Sequence, residues 1–434
     1  MPHRSDSHRA MIDQAQSLMF GSPGAFKLPP HLAIVVDHGA GSRIYDVDGN
    51  EYIDYLLGSG PMLIGHAHPR VVAAVQAQAA KGSTFYTLTE PAIRLAERIV
   101  DAVPCAEALK FVSSGTEATF HAMRIARTFT DRPKILKFEG GFHGVNDYSM
   151  MSTMAPVQTD YPRPIPDSAG IPGELEADVL VSRWNDAELT AKILRDHESE
   201  IAAVICEPLQ RALVPAPGFL NDLRDLTRKH GTLLIFDEIV TGFRLAYGGA
   251  QELYGVTPDL ATYGKAIAGG YPLAAIAGRA DIMEVTNPDR RGSAPVSHLG
   301  GTMNGNPLAA VAGLATLDVL AEPGVYARLY KTANRLKEGL YESAGAAGES
   351  IQIAGVGPVF QVFFTESQPA DYPDVLNTDR ARGRQFGLNL VEQGLFLNPG
   401  EKFYISLAHD DRDVDETLDA FSSALTTLPT AVSH

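Results

Sequence analysis

The sequence predicts an α/β protein with a large domain around a mostly parallel sheet flanked by helices, and a second, smaller domain. Three observations lead there. The chain has 434 residues, more than one core normally serves. Short apolar runs alternate with stretches of helical length between residues 109 and 236, the order that builds a parallel sheet. One run, Leu233-Leu234-Ile235-Phe236, is apolar at every position, as a strand covered on both faces must be.

In chain order, residues 42–57 read as a hairpin, with Asp48-Gly49-Asn50 at the turn. Residues 69–81 read as a helix opened by Pro69 and closed by Gly82, and residues 90–103 as a second, stopped by Pro104. A strand at 109–112, a helix at 116–130 and a strand at 134–138 follow. Residues 150–182 hold prolines and glycines with no sustained period, which marks a functional loop or lid. Then come a strand at 201–206, a helix at 219–229 and the apolar strand at 232–236. Residues 306–320 form a long Ala/Leu-rich helix suited to lead into a C-terminal domain, and the chain from about Leu428 is expected to fray.

Composition narrows the function. Hydrophobic residues make up 45% and charged residues 20%, the balance of a globular protein. A net charge of −16 repels phosphate backbones, so neither nucleic acid nor an anionic membrane is an expected partner. There is no run of about 18 apolar residues and no signal-like apolar segment near the start, so a cytoplasmic protein is expected. Two cysteines, Cys105 and Cys206, are too few for a disulfide framework and are expected to pack as small apolar groups.

Three motifs carry chemistry. In Phe111 to Ala118 a strand ends, Ser114-Gly115-Thr116 turns and a helix starts, with capping-box spacing from Ser114 to Glu117. Such a helix end can hold a phosphate, and an ordinary N-cap would look the same. Asp237-Glu238 follows the most apolar strand, where ligands of open α/β sheets sit, and a carboxylate there can hold a proton on a ring nitrogen or cap a helix. Lys265 stands in Thr262-Tyr263-Gly264-Lys265-Ala266. A lysine buried there favours its neutral amine, which forms Schiff bases. A P-loop does not fit, because Ala266 stands where Ser or Thr is required. Lys265 follows Asp237 by 28 residues, and the three motifs together are far more specific than any one.

On these motifs the chain resembles the class III pyridoxal-5′-phosphate (PLP)-dependent aminotransferases of fold type I. Within them it looks closest to the glutamate-1-semialdehyde 2,1-aminomutase group. Further matching stretches are Tyr45 to Asn50, Gly65-His66-Ala67-His68-Pro69, Gly140 to Gly144, Thr241 to Gly249 and Gly301 to Pro307. The resemblance implies a large PLP-binding domain at 60–320 and a smaller α+β domain drawn from both termini, 1–59 and 321–434. It implies that Lys265 forms the Schiff base and shuttles a proton, and that Asp237 pairs with the pyridine nitrogen. Ser114, Gly115 and Thr116 would bind the phosphate. Phe142 would stack on the ring with His143 beside it, Ile239 would cover the other face, and Glu207 would approach the phenolic oxygen with Gln210 next to it. Thr302 would reach the cofactor of the neighbouring subunit, so the implied unit is a homodimer with shared active sites. His66 and His68 fall in a structural turn, no metal is expected, and Arg244 is structural.

The sequence departs from the aminomutase pattern around the substrate. The N-terminal segment 22–30 lacks the group's arginine, and Lys27 is not an equivalent fork for a carboxylate. Ser59 replaces a tryptophan, the Gly-Ser-Gly lid signature is absent from 150–182, and Arg211 stands where many relatives have glycine. Glu401 does fit an acidic position of the group. With Ser59, Gln210, Arg211 and Glu401 as the substrate residues, these changes predict a transaminase. It would pass an amino group from an amine or a non-α (for example β-) amino acid to a keto acid. The alternatives are the aminomutase itself and an inactive homologue that only binds. The motifs also leave a racemase or decarboxylase open.

Overall fold

The structure, a computed structural model, describes residues 4–19 and 28–429. Two compact units divide them. One comprises the described residues up to Pro69, Gly324–Gln368 and those from Thr378 onward; the other comprises Arg70–Pro323 and Pro369–Asn377. The seams fall at residues 69 and 323, against the expected 59 and 320.

The strands are β1 Val36–Ala40, β2 Arg43–Asp46, β3 Glu51–Asp54, β4 Ala108–Val112, β5 Lys134–Phe138, β6 Val179–Ser182, β7 Ile201–Cys206, β8 Leu233–Asp237, β9 Leu260–Tyr263, β10 Ala274–Gly278, β11 Ile351–Val356, β12 Val359–Phe364, β13 Leu395–Phe396 and β14 Phe403–Tyr404. In the larger unit seven of them form one sheet in the order β4-β10-β9-β8-β7-β5-β6. The run from β9 through β8, β7 and β5 to β6 is parallel. Only β10 is reversed, against both β4 and β9. The other six strands therefore end at the same edge of the sheet. β7 and β8 are buried at every position, as their unbroken apolar sequences require. The helix Gly115–Thr130 turns Ala118, Ala122, Met123 and Ala126 onto Ile205, Ile235 and Ile276, a spacing that puts them on one face.

Residues 150–182 are not irregular throughout: Gly173–Asp178 form a 3₁₀ turn and Val179–Ser182 are β6. β9 and β10 are also additions to the predicted elements. Their sequences, Leu-Ala-Thr-Tyr and Ala-Ala-Ile-Ala-Gly, give little signal: β9 is only four residues long, and β10 is mostly alanine, which is depleted in strands. Trp184 packs edge-on against Phe138 and Phe219, with ring centroids 5.3 and 4.8 Å away.

The smaller unit holds two sheets, β1-β2-β3-β13 and β11-β12-β14. The hairpin at Asp48-Gly49 pairs Arg43 with Ile53. Its core joins Tyr55, Leu336, Leu340, Phe360, Phe386, Phe403 and Phe421. Among the described residues no single helix is long and apolar enough to cross a membrane.

Candidate active site

The expected residues of the larger unit leave one edge of its sheet. Ser114-Gly115-Thr116 follow β4, Phe142-His143 follow β5, and Glu207 to Arg211 follow β7. Asp237 ends β8 with Ile239 just beyond, and Lys265 opens the turn after β9. This carboxyl edge is where open α/β sheets bind ligands.

Asp237 is 4% exposed. Its Oδ1 accepts from Thr262 Oγ1 at 3.0 Å and from the Ile239 N–H at 3.2 Å, and its Oδ2 lies 2.8 Å from His143 Nδ1. Thr119 fixes the other side of His143 by donating to its carbonyl at 2.6 Å. His143 Nε2 is buried without a hydrogen-bond partner, as is Gln210 Oε1. Buried polar atoms of this kind call for a ligand or water to complete them.

Ile239 ties two of the motifs together. A Cβ on Gly115 would come within 3.2 Å of Ile239 Cδ1, and one on Gly264 within 3.0 Å. Glycine at both positions lets the isoleucine sit between the helix start and the lysine turn. Gly144, at φ +91°, lies so close to Thr116 that a Cβ would be 2.7 Å from its Cα, and the Val145 N–H donates to Thr116 Oγ1 at 3.2 Å. The capping box forms: Ser114 Oγ accepts from the Glu117 N–H at 3.2 Å, and Glu117 Oε2 accepts from the Ser114 N–H at 3.0 Å. The Gly115 and Thr116 N–H groups, in the first turn, have no acceptor within the helix.

Lys265 is largely buried and sits at φ +45°. Burial, reinforced by the nearby Arg244 charge, lowers its pKa to about 8, against the pull of Asp237 and Glu207; Arg211 acts in the same direction as Arg244. Arg244 is itself fully buried and donates from Nε to the Val240 carbonyl at 3.0 Å.

Glu207 binds two backbones at once. Its Oε1 accepts from the Phe142 N–H at 2.8 Å and its Oε2 from the Arg211 N–H at 3.3 Å. The Arg211 guanidinium carbon lies 5.7 Å from the centre of the Phe142 ring. Gln210 Nε2 donates to the Glu139 carbonyl at 2.8 Å. Lys137 is a site residue that the sequence reading missed. Buried in β5, its Nζ lies 2.7 Å from the Ser149 and Met151 carbonyls and from Thr153 Oγ1, and Thr153 Oγ1 in turn donates to the Gly141 carbonyl at 3.1 Å. Burial lowers the Lys137 pKa to about 7. The available signal was a lysine inside an otherwise apolar run, Ile135-Leu136-Lys137-Phe138.

Thr302 is exposed on the turn whose Asn304 Oδ1 accepts from Ser113 Oγ at 3.2 Å. Ser59 and Glu401 belong to the smaller unit, Ser59 at φ +68°. Lys27 and residues 22–26 lie outside the described residues. Cys105 and Cys206 are buried, which pushes the Cys105 thiol up to about 12 and raises that of Cys206 as well. His66 Nε2 is 2.7 Å from Asp54 Oδ2.

Comparison with known proteins shows that the model for Aminotransferase class-III matches residues 27–425. The chain belongs to the class III aminotransferase family. A relative from Pelotomaculum thermopropionicum, a glutamate-1-semialdehyde 2,1-aminomutase, is 45% identical over 91% of each chain. Among solved structures, an omega-transaminase from Sphaerobacter thermophilus superposes with a TM-score of 0.91 at 33% identity, covering 98% of each chain. A glutamate-1-semialdehyde aminomutase from Pseudomonas aeruginosa, in complex with PMP, gives 0.83 at 26% identity, with 91% of this chain and 88% of that one covered.

This class III enzyme uses PLP, which one similar transaminase structure has bound. The residues fit it. Two N–H groups at a helix start suit a phosphate, a buried carboxylate suits a ring nitrogen, and an amine of lowered basicity suits an aldehyde. The unpartnered His143 Nε2 and Gln210 Oε1 lie in the same cluster. The expected intermolecular transaminase is corrected by the relatives, since further proteins 40–43% identical over most of the chain also bear the aminomutase name. The inference failed because it read a reaction from side chains around the substrate. Losing one arginine there alters how a carboxylate is held, not what the lysine and the aspartate do.

Proposed function

We propose that the chain is a glutamate-1-semialdehyde 2,1-aminomutase, which shifts the amino group between neighbouring carbons of one molecule and releases 5-aminolevulinate. The observation that carries this is the 45% identity, over 91% of both chains, to a relative of that name. The lysine of lowered pKa within range of the Asp237 charge supports it.

Bound PLP supplies a carbonyl for amines and an electron-withdrawing ring. Lys265 would hold its aldehyde carbon. Asp237 keeps a proton on the ring nitrogen and is itself oriented by His143 and Thr262. The Gly115 and Thr116 N–H groups, with the Ser114 hydroxyl, would bind the phosphate. Phe142 and Ile239 would confine the ring, and Glu207 and Gln210 would stand at its phenolic oxygen. The freed Lys265 amine takes a proton from the substrate carbon that loses nitrogen and gives one to the carbon that gains it. The reaction is an isomerisation, so no second substrate enters. In this reading Thr302 completes the phosphate site of a neighbouring subunit in a homodimer; a single-subunit mass in light scattering would remove that part.

Lys265→Ala should still take up PLP but lose aminolevulinate formation by about 10²-fold or more, the lower end of what a positioned base contributes. Retention of wild-type turnover would remove Lys265 from its role.

A further inference from the structure

Arg211 occupies a backbone position that suits glycine. Its φ is +60°, in the left-handed region where a side chain is strained and where such strain collects at functional sites. The strain is held in place by Glu207, whose carboxylate grips the Arg211 and Phe142 N–H groups together, and by the pairing of Gln210 with Leu213, N–H to carbonyl, at 3.1 and 2.7 Å. The half-buried guanidinium stays beside the Phe142 ring at 5.7 Å, and its charge is felt at Lys265. The second arginine felt there, Arg244, is fully buried and bonded to its own turn. Of the two, Arg211 is the more exposed, and its guanidinium stands on the Phe142 ring.

We infer that Arg211 is the specificity residue that recognises the carboxylate of the substrate, from the Phe142 side of the lysine. The proposal rests on the aminomutase reading for the identity of the substrate, whose carboxylate lies at the far end from the reacting carbons. A planar guanidinium offers that group two parallel hydrogen bonds. It replaces, from the loop after β7, the arginine that the N-terminal segment lacks.

The test compares PLP-loaded wild type with Arg211→Gly, a substitution that the positive φ accepts, and with Arg211→Lys. Dissociation constants for 5-aminolevulinate and for its methyl ester, which differ only in the charge at that end, are read from the change in cofactor absorbance. Wild type should favour the acid over the ester by about 10- to 100-fold, the range of a charge-assisted hydrogen bond. Arg211→Gly should bring the ratio close to one with the ester constant unchanged, and Arg211→Lys should fall between. A wild type without preference, or an Arg211→Gly protein that keeps it, would overturn the assignment. Failure to form aminolevulinate while the acid preference persists and depends on Arg211 would count against the aminomutase reading alone.

Discussion

A lysine amine captures an aldehyde or takes up a proton only while it is neutral. Burial and Arg244 give Lys265 that state by lowering its pKa to about 8, whereas an unperturbed lysine stays charged up to 10.5. The sign follows directly. Below about 8 the amine is protonated and slow, and above it the neutral form dominates. Stopped-flow capture of PLP by the apo chain should therefore accelerate as pH rises and level off above about 8. A rate still climbing steeply at pH 9 to 10 would mean that the shift is absent. Lys265 and Asp237 could be singled out in the sequence because each stands in a recognisable motif, Asp237 after the most apolar strand and Lys265 in Tyr263-Gly264-Lys265-Ala266. The groups that set their behaviour were not: Thr262 and His143 meet Asp237 only through the register of β8 with β9 and the loop after β5. Arg211 was visible as an oddity, but its left-handed backbone was not.

At the scale of elements, the loop after β5 is held from beneath. Lys137 joins residues 149, 151 and 153, and Thr153 joins Gly141, the residue before Phe142. Residues 369–377 add a second hold, with the Tyr372 hydroxyl donating to the Ala155 carbonyl at 2.9 Å and Arg183 paired with Asp371 at 2.5 Å. Lys137→Met would leave three oxygens in a dry site without their donor, at a cost of about 2–4 kcal/mol. A lowered thermal midpoint together with weaker PLP retention is expected; an unchanged midpoint would show that the loop does not depend on the lysine. The long apolar strands and amphipathic helices were legible from periodicity. β9 and β10 were not, because β9 is only four residues long and β10 is mostly alanine, with little strand preference of its own. β6 was hidden behind the prolines that precede it.

For the whole molecule, the sequence pattern and the sheet order agree on an α/β architecture whose reactive groups gather at one edge. The family is shown by a match across nearly the whole chain. What sequence reasoning misjudged was the step from altered substrate contacts to a different reaction. A sheet edge presents several loops to the same ligand, so a carboxylate lost to one arginine can be met by another. The central claim is that the chain rearranges one substrate without a partner. The most direct measurement is the amount of 5-aminolevulinate formed per active site from glutamate-1-semialdehyde alone, with no keto acid and no other amine present. The account predicts many equivalents per site, growing linearly until the substrate is consumed. Formation that stops at or below one equivalent, or that requires an added acceptor to continue, would contradict it.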